Sequence, residues 1–170
     1  HDRLATLTCS FGATDAAIND QIFRSLGHEV ARSMRWSEGD EAADLLVALH
    51  ARKSAPSIAA FPGPVVVAAT GTDLYQDLPA SIEAMHSLQR AWRIVVLHPL
   101  AVQALPDIVR ARARVIVQSV VPLTVLPPKD APYTVAVVGH LRAVKDPLTV
   151  ARAASLLPRS SLIRIVQVGM

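Results

Sequence analysis

Histidines, a carboxylate and several cations stand where apolar, strand-like segments end. Leu49-His50-Ala51-Arg52-Lys53-Ser54 closes one such segment, and Thr70-Gly71-Thr72-Asp73-Leu74-Tyr75 closes a second. Leu97-His98-Pro99 closes a third, and Gly139-His140-Leu141-Arg142, with Lys145 beyond, a fourth. These side chains suit anion chemistry. Arg and Lys form charge-assisted hydrogen bonds to oxyanions, and His can donate or accept a proton near neutrality. A glycine at the start of a helix lets the backbone approach a phosphate closely. Each residue also has a plainer reading. His50 can be a satisfied, partly buried histidine, and Asp73 can cap the turn after Gly71-Thr72. Gly139 can serve an ordinary strand-to-helix turn, Tyr75 can be a packing residue, and His98 can begin a helix. Arg52 and Lys53 can be a solvated helix start, although cations there oppose the helix dipole.

The elements that must position these residues alternate between strand and helix. Strands are expected over Leu4–Cys9, Glu29–Trp36, Leu45–Leu49, Pro64–Ala69, Arg93–Leu97 and Ala113–Val117. Helices are expected over Ala16–Leu26, Ala55–Ala60, Ser81–Arg90 and Pro99–Leu105. Ile18, Ile22 and Leu26 share one face of the first, and Gly27 follows as its C-cap. Such alternation implies a Rossmann-like, doubly wound parallel sheet with helices on both faces. In such a sheet ligands bind beyond the carboxyl ends of the strands, where the polar residues above lie. Residues 1–119 form this first domain. The segment 120–132 holds Pro122, Pro127, Pro128 and Pro132, which excludes a helix or central strand, and reads as an interdomain linker. From residue 133 the pattern restarts: strand Thr134–Val138, helix Asp146–Leu157, strand Ser161–Val168. A single βαβ unit cannot bury both faces of its sheet, so residues 133–170 read as the incomplete start of a second domain. The opening His1-Asp2-Arg3 reads as a trimmed front.

Composition narrows the classes further. Of 170 residues, 51% are hydrophobic but only 4% aromatic, so the core is aliphatic, as in buried parallel sheets. No apolar run approaches the roughly 18 residues needed to cross a bilayer, and no membrane partner is expected. The net charge of +3 comes with scattered arginines rather than a basic block, and no nucleic-acid partner is expected. The single cysteine, Cys9, rules out an intrachain disulfide and reads as a buried strand residue. The P-loop, dinucleotide and nucleophile-elbow patterns are absent, and no acidic or His cluster has metal-ligand spacing. No cofactor is expected. A cytoplasmic location is compatible with these features.

Several segments resemble the GT4-type glycosyltransferases of GT-B fold. Asp44-Leu45-Leu46-Val47-Ala48-Leu49-His50-Ala51 is similar to their "D-I-V-H-A-H" strand end, and Thr70-Gly71-Thr72-Asp73 to their "H-G-T-D". Val115-Ile116-Val117-Gln118-Ser119 stands where they have "V-I-P-N-G". Val137-Val138-Gly139-His140-Leu141-Arg142-Ala143-Val144-Lys145 resembles their "V-G-R-L-x-x-E-K-G". Thr70 replaces the usual His, His140 the usual Arg, and Asp146 the usual Gly. The combination A-L-H-A-R-K-S-A, T-G-T-D-L-Y-x-D-L, L-H-P-L-A and G-H-L-R-x-x-K-D-P-L resembles one branch, the selenosugar synthases of selenoneine biosynthesis. The region Phe11–Asp20 matches that branch poorly.

The resemblance implies a metal-independent hexosyltransferase. It moves a hexose from a UDP-sugar to selenophosphate and makes a 1-selenosugar. His50 and Asp73 then fall on the acceptor side as catalytic candidates, with Thr70, Gly71 and Thr72 beside them. Gly139, His140, Arg142 and Lys145 hold the donor diphosphate. Arg52 and Lys53 are candidates for the acceptor anion. Selenophosphate is already anionic, so positioning and leaving-group stabilisation outweigh any strong general base. The acidic E-x7-E pair that grips the donor sugar in this superfamily lies downstream of these residues, so the 170-residue chain is not expected to be catalytically complete. Two alternatives stay open, a GT4-type enzyme with another acceptor and a non-catalytic α/β binding module.

Overall fold

The computed structural model describes residues 3–8, 20–37, 43–118, 132–139, 141 and 143–169. Cys9, the beginning of the helix expected over 16–26, nearly all of the proline-rich segment, and the candidate donor residues His140 and Arg142 lie outside the described residues. The chain divides into two units, residues 1–120 and 121–170.

In the first unit six strands are described: β1 (Arg3–Thr8), β2 (Glu29–Ser33), β3 (Leu45–Leu49), β4 (Val65–Ala69), β5 (Arg93–Val96) and β6 (Ala113–Val115). They form one sheet in the order β2-β1-β3-β4-β5-β6, and every neighbouring pair is parallel. Parallel neighbours need crossover connections. The helical ones are α1 (residues 20–25), α2 (Ala55–Ala60), α3 (Ile82–Arg90), α4 (Pro99–Gln103) and α5 (Asp107–Arg110). The unit is an α/β domain on a parallel sheet, compatible with a Rossmann-like fold. Because β1 lies between β2 and β3, the chain changes its direction of travel across the sheet there, which makes a switch point.

Sequence chemistry explains these elements locally. Gly27 ends α1 with φ of 88°, a left-handed value that costs glycine nothing. Its N–H bonds to the Arg24 carbonyl at 3.0 Å. The Ser81 hydroxyl accepts the Ala84 amide at 3.1 Å and caps α3, which then buries Ala84, Ser87 and Leu88 along one stripe. Pro99 opens α4 at a position where its missing N–H is harmless. The helix expected as one piece over 99–105 stops at Gln103, and α5 follows beyond Pro106. Four residues are too few to show a helical period, so α5 was not visible in the sequence.

The core runs along the middle strands. Leu46, Ala48, Val65, Val67, Ile94 and Val96 are completely buried, and Ile58, Leu88 and Val109 from the helices cover them. Burying such a side chain contributes about 1.5–3 kcal/mol, so β3, β4 and β5 form a stiff centre. Trp36 meets Phe61 edge-on at 5.1 Å between ring centres and packs against the same core. β2 exposes all but Val30.

The second unit has a βαβ arrangement. β7 (Tyr133–Val138) and β8 (Ile163–Val168) pair in parallel, with Tyr133 opposite Ile163 and Val138 opposite Val168. A 3-10 turn (Ala143–Lys145) and α6 (Leu148–Ser155) lie between them in sequence. α6 buries no residue, and both strands are largely exposed.

Candidate functional site

The carboxyl ends of β3 and β4 carry a cluster of polar side chains. Its centre is Asp73, only 1% exposed. One carboxylate oxygen accepts the amides of Thr70 (3.0 Å), Gly71 (3.0 Å) and Leu74 (3.1 Å). The other accepts the Ala51 amide at 3.0 Å. Gly71 has φ of 133° and turns the chain out of β4 into a π-helical turn, Asp73–Asp77. Asp73 thus ties the exit of β4 to the exit of β3. With four backbone donors on it, the carboxylate holds structure.

His50 sits at the end of β3 with φ of 85°. Left-handed backbone at a non-glycine residue costs about 1–3 kcal/mol and persists only where the surroundings enforce it. They do so here. The His50 amide donates to Ala68 O at 3.0 Å, and its carbonyl accepts from Ser54 N at 3.1 Å. The Ser54 hydroxyl donates to Leu49 O at 3.0 Å. The imidazole Nδ1 faces the Lys53 amide at 3.4 Å and is an acceptor. The neutral ring therefore carries its proton on Nε2, assigned from these partners. Nε2 faces the Asp77 carboxylate at 3.5 Å and the Thr72 hydroxyl at 3.4 Å. Burial lowers the His50 pKa below its ordinary value. The nearby Lys53 and Arg52 charges act in the same direction, and those of Asp73 and Asp77 oppose it.

Asp77 completes the cluster. The same Oδ2 atom that meets His50 also takes Arg52 Nε at 3.2 Å. Its side chain is 15% exposed, against 52% for Arg52. Asp77 was not among the candidate residues of the sequence reading. The signal was its place four residues after Asp73, which puts both carboxylates on one side of a helical turn. That turn was not recognised.

The candidate acceptor-side residues are thus brought together. His50, Arg52, Lys53, Thr70, Gly71, Thr72 and Asp73 share one tip of the sheet, where Thr70 and Gly71 contribute backbone amides rather than side chains. Next to them His98 caps α4, its Nδ1 accepting the Ala101 amide at 3.2 Å. Its Nε2 lies 3.1 Å from the hydroxyl of Tyr75, so the tips of β4 and β5 are linked as well. A groove of about 790 Å³ runs from Arg52 between α2 and α3 to Arg90.

The candidate donor residues belong to the second unit. Gly139 extends the β7–β8 ladder by donating to Val168 O at 2.9 Å. Among the described residues, a Cβ added there would meet nothing within 4 Å, which leaves the backbone open to close approach by a ligand. Lys145 ends the 3-10 turn and is exposed. Asp146 follows with φ of 42°. It accepts from Thr149 and from Arg152, the latter at 3.1 Å, and the Thr149 hydroxyl in particular lowers its pKa.

Among the described residues, no group of three or more His, Cys, Asp and Glu side chains could hold a metal ion. Among them also, no helix is long and apolar enough to cross a membrane. No protein-family model matches the chain, and no curated protein is significantly similar to it.

Proposed function

We propose that the chain is part of a GT4-type glycosyltransferase of GT-B fold that transfers a hexose from a UDP-sugar to selenophosphate. The first unit is the acceptor side, and the second belongs to the nucleotide-sugar side. The observation that carries this reading is the sheet tip where His50, Asp77 and Arg52 meet over an amide-bound Asp73. Such a tip of a parallel sheet is where small ligands are bound.

In this reading the selenium of selenophosphate forms a bond to the anomeric carbon as the bond to the UDP oxygen breaks. Arg52 and Lys53 hold the acceptor anion, and Thr72 and His50 line its path. Asp73 is a positioning residue that fixes both loops. Both His50 nitrogens are already engaged, which agrees with a reaction driven by positioning rather than by a strong base. Gly139 and Lys145, with His140 and Arg142 beside them in sequence, stabilise the leaving diphosphate electrostatically. A cytoplasmic location suits a soluble UDP-sugar donor.

The test is incubation of the full-length protein with a UDP-hexose and selenophosphate. A selenium-bearing sugar, identified by mass, is expected. Free UDP-hexose consumption with other acceptors but not with selenophosphate would place the enzyme elsewhere in the GT4-type group. No turnover with any UDP-hexose would defeat the reading.

A further inference from the structure

We propose that Asp77 is a specificity-determining residue that makes the anion site at Arg52 select oxyanions carrying a dissociable proton over fully ionised ones. This rests on the reading of Arg52 as an acceptor-anion ligand and assigns to its neighbour a role that reading does not include.

The argument starts from how the Asp77 carboxylate is divided. Both of its nitrogen contacts, His50 Nε2 and Arg52 Nε, fall on Oδ2. Among the described residues Oδ1 has no partner, and the side chain still reaches the surface. Arg52 meets Asp77 through Nε, the inner edge of its guanidinium, and the side chain is half exposed. The outer edge, with its paired N–H groups, is the geometry that takes a tetrahedral oxyanion in bidentate fashion. An anion bound there lies beside a fixed negative charge.

That charge acts in opposite directions on two kinds of anion. Hydrogenphosphate carries an O–H near neutral pH and can donate it to Oδ1, which turns a like-charge clash into a charge-assisted hydrogen bond. Sulfate has the same shape and charge but no proton, so it meets the carboxylate lone pairs directly. The π-helical turn that carries Asp77 is anchored by Asp73, and its carboxylate is held by the His50 and Arg52 contacts. The site therefore fits a phosphate-type acceptor and rejects sulfate-type anions.

The probes are inorganic phosphate and inorganic sulfate, titrated into the full protein by calorimetry near neutral pH at fixed ionic strength. Wild type is expected to bind phosphate at least about tenfold more tightly than sulfate, the range of one charged hydrogen bond. Asp77→Asn removes the charge and keeps the shape, and the phosphate-to-sulfate ratio should collapse toward one, mainly because sulfate binding improves. A role confined to folding would shift the melting temperature and leave that ratio alone. Equal affinities in wild type, a measurement that needs no variant, overturn the proposal, as does an unchanged ratio in Asp77→Asn. In both cases Arg52 remains an anion ligand. If wild type binds neither anion, the acceptor-site reading itself falls and takes this inference with it.

Discussion

The carboxylate of Asp73 lies 3.0 Å from the backbone amide of Ala51, twenty-two residues away in sequence, and this bond joins the exits of two adjacent strands. The other oxygen of Asp73 gathers Thr70, Gly71 and Leu74. Replacing Asp73 with Ala leaves these amides without their acceptor in a buried place. Each unsatisfied buried group costs about 1–3 kcal/mol. Allowing for water entry, we expect Asp73→Ala to lose roughly 3 kcal/mol or more of stability, and Asp73→Asn less, because one oxygen remains. Urea denaturation of the two variants measures this. Wild-type stability in Asp73→Ala would show that the four amides find other partners.

His50 should make stability fall in mild acid. Burial depresses its folded pKa, whereas the unfolded chain titrates at about 6.5. Above the unfolded value both states are neutral and the term is constant. As pH falls below it, the unfolded state gains a proton that the folded state refuses, so stability drops until the folded pKa is reached. The slope can reach about 1.4 kcal/mol per pH unit for one proton. His50→Asn tolerates left-handed backbone and cannot titrate. Its stability should be flatter between pH values of about 7 and 5 than that of wild type. Parallel slopes in thermal melts across that range would exclude His50 as the source.

Much of this arrangement was legible in the sequence because it is encoded locally. β3 and α2 occupy the residues expected for them, Leu45–Leu49 and Ala55–Ala60. Gly27, Ser81 and Pro99 mark element ends by their own conformational preferences. The strand order was not legible, because pairing β1 between β2 and β3 is a long-range choice that no local pattern carries. The same holds for the site. His50, Arg52 and Asp73 stood out as strand-end residues, but Asp77 gains its meaning only from His50, twenty-seven positions earlier. The plain reading of Asp73 as a turn cap captured its bonds to Thr70 and Gly71 and missed the one to Ala51.

Gly63 is required by packing rather than by backbone conformation. A Cβ built there would lie 2.8 Å from the Phe61 ring and 3.5 Å from the Asp44 carbonyl. Phe61 is 2% exposed and braced by Trp36, so its ring has no room to retreat. Overpacking of this kind typically costs about 1–3 kcal/mol. Gly63→Ala should lower the melting temperature by several degrees and leave ligand binding at the distant sheet tip intact. A Gly63→Ala variant as stable as wild type would mean that Phe61 can shift without penalty.

Lys145 bears on the donor half of the functional reading. It ends the 3-10 turn after the open backbone of Gly139, and it is exposed. The neighbouring Asp146 carboxylate is engaged by Thr149 and Arg152 rather than by Lys145. The ammonium is therefore not drawn away by the nearest acid. A charge-assisted hydrogen bond to a phosphate oxygen is worth about 1.5–3 kcal/mol, so Lys145→Ala should weaken UDP binding about tenfold or more. Lys145→Arg keeps the charge and should lose much less. Because the side chain is exposed and α6 buries nothing, neither change should alter stability measurably, so a loss of affinity cannot be blamed on unfolding. Calorimetric titration of the full-length protein with UDP decides the matter. Equal affinities in wild type and Lys145→Ala would remove this lysine from the donor site and with it the main physical support for a diphosphate ligand in the second unit.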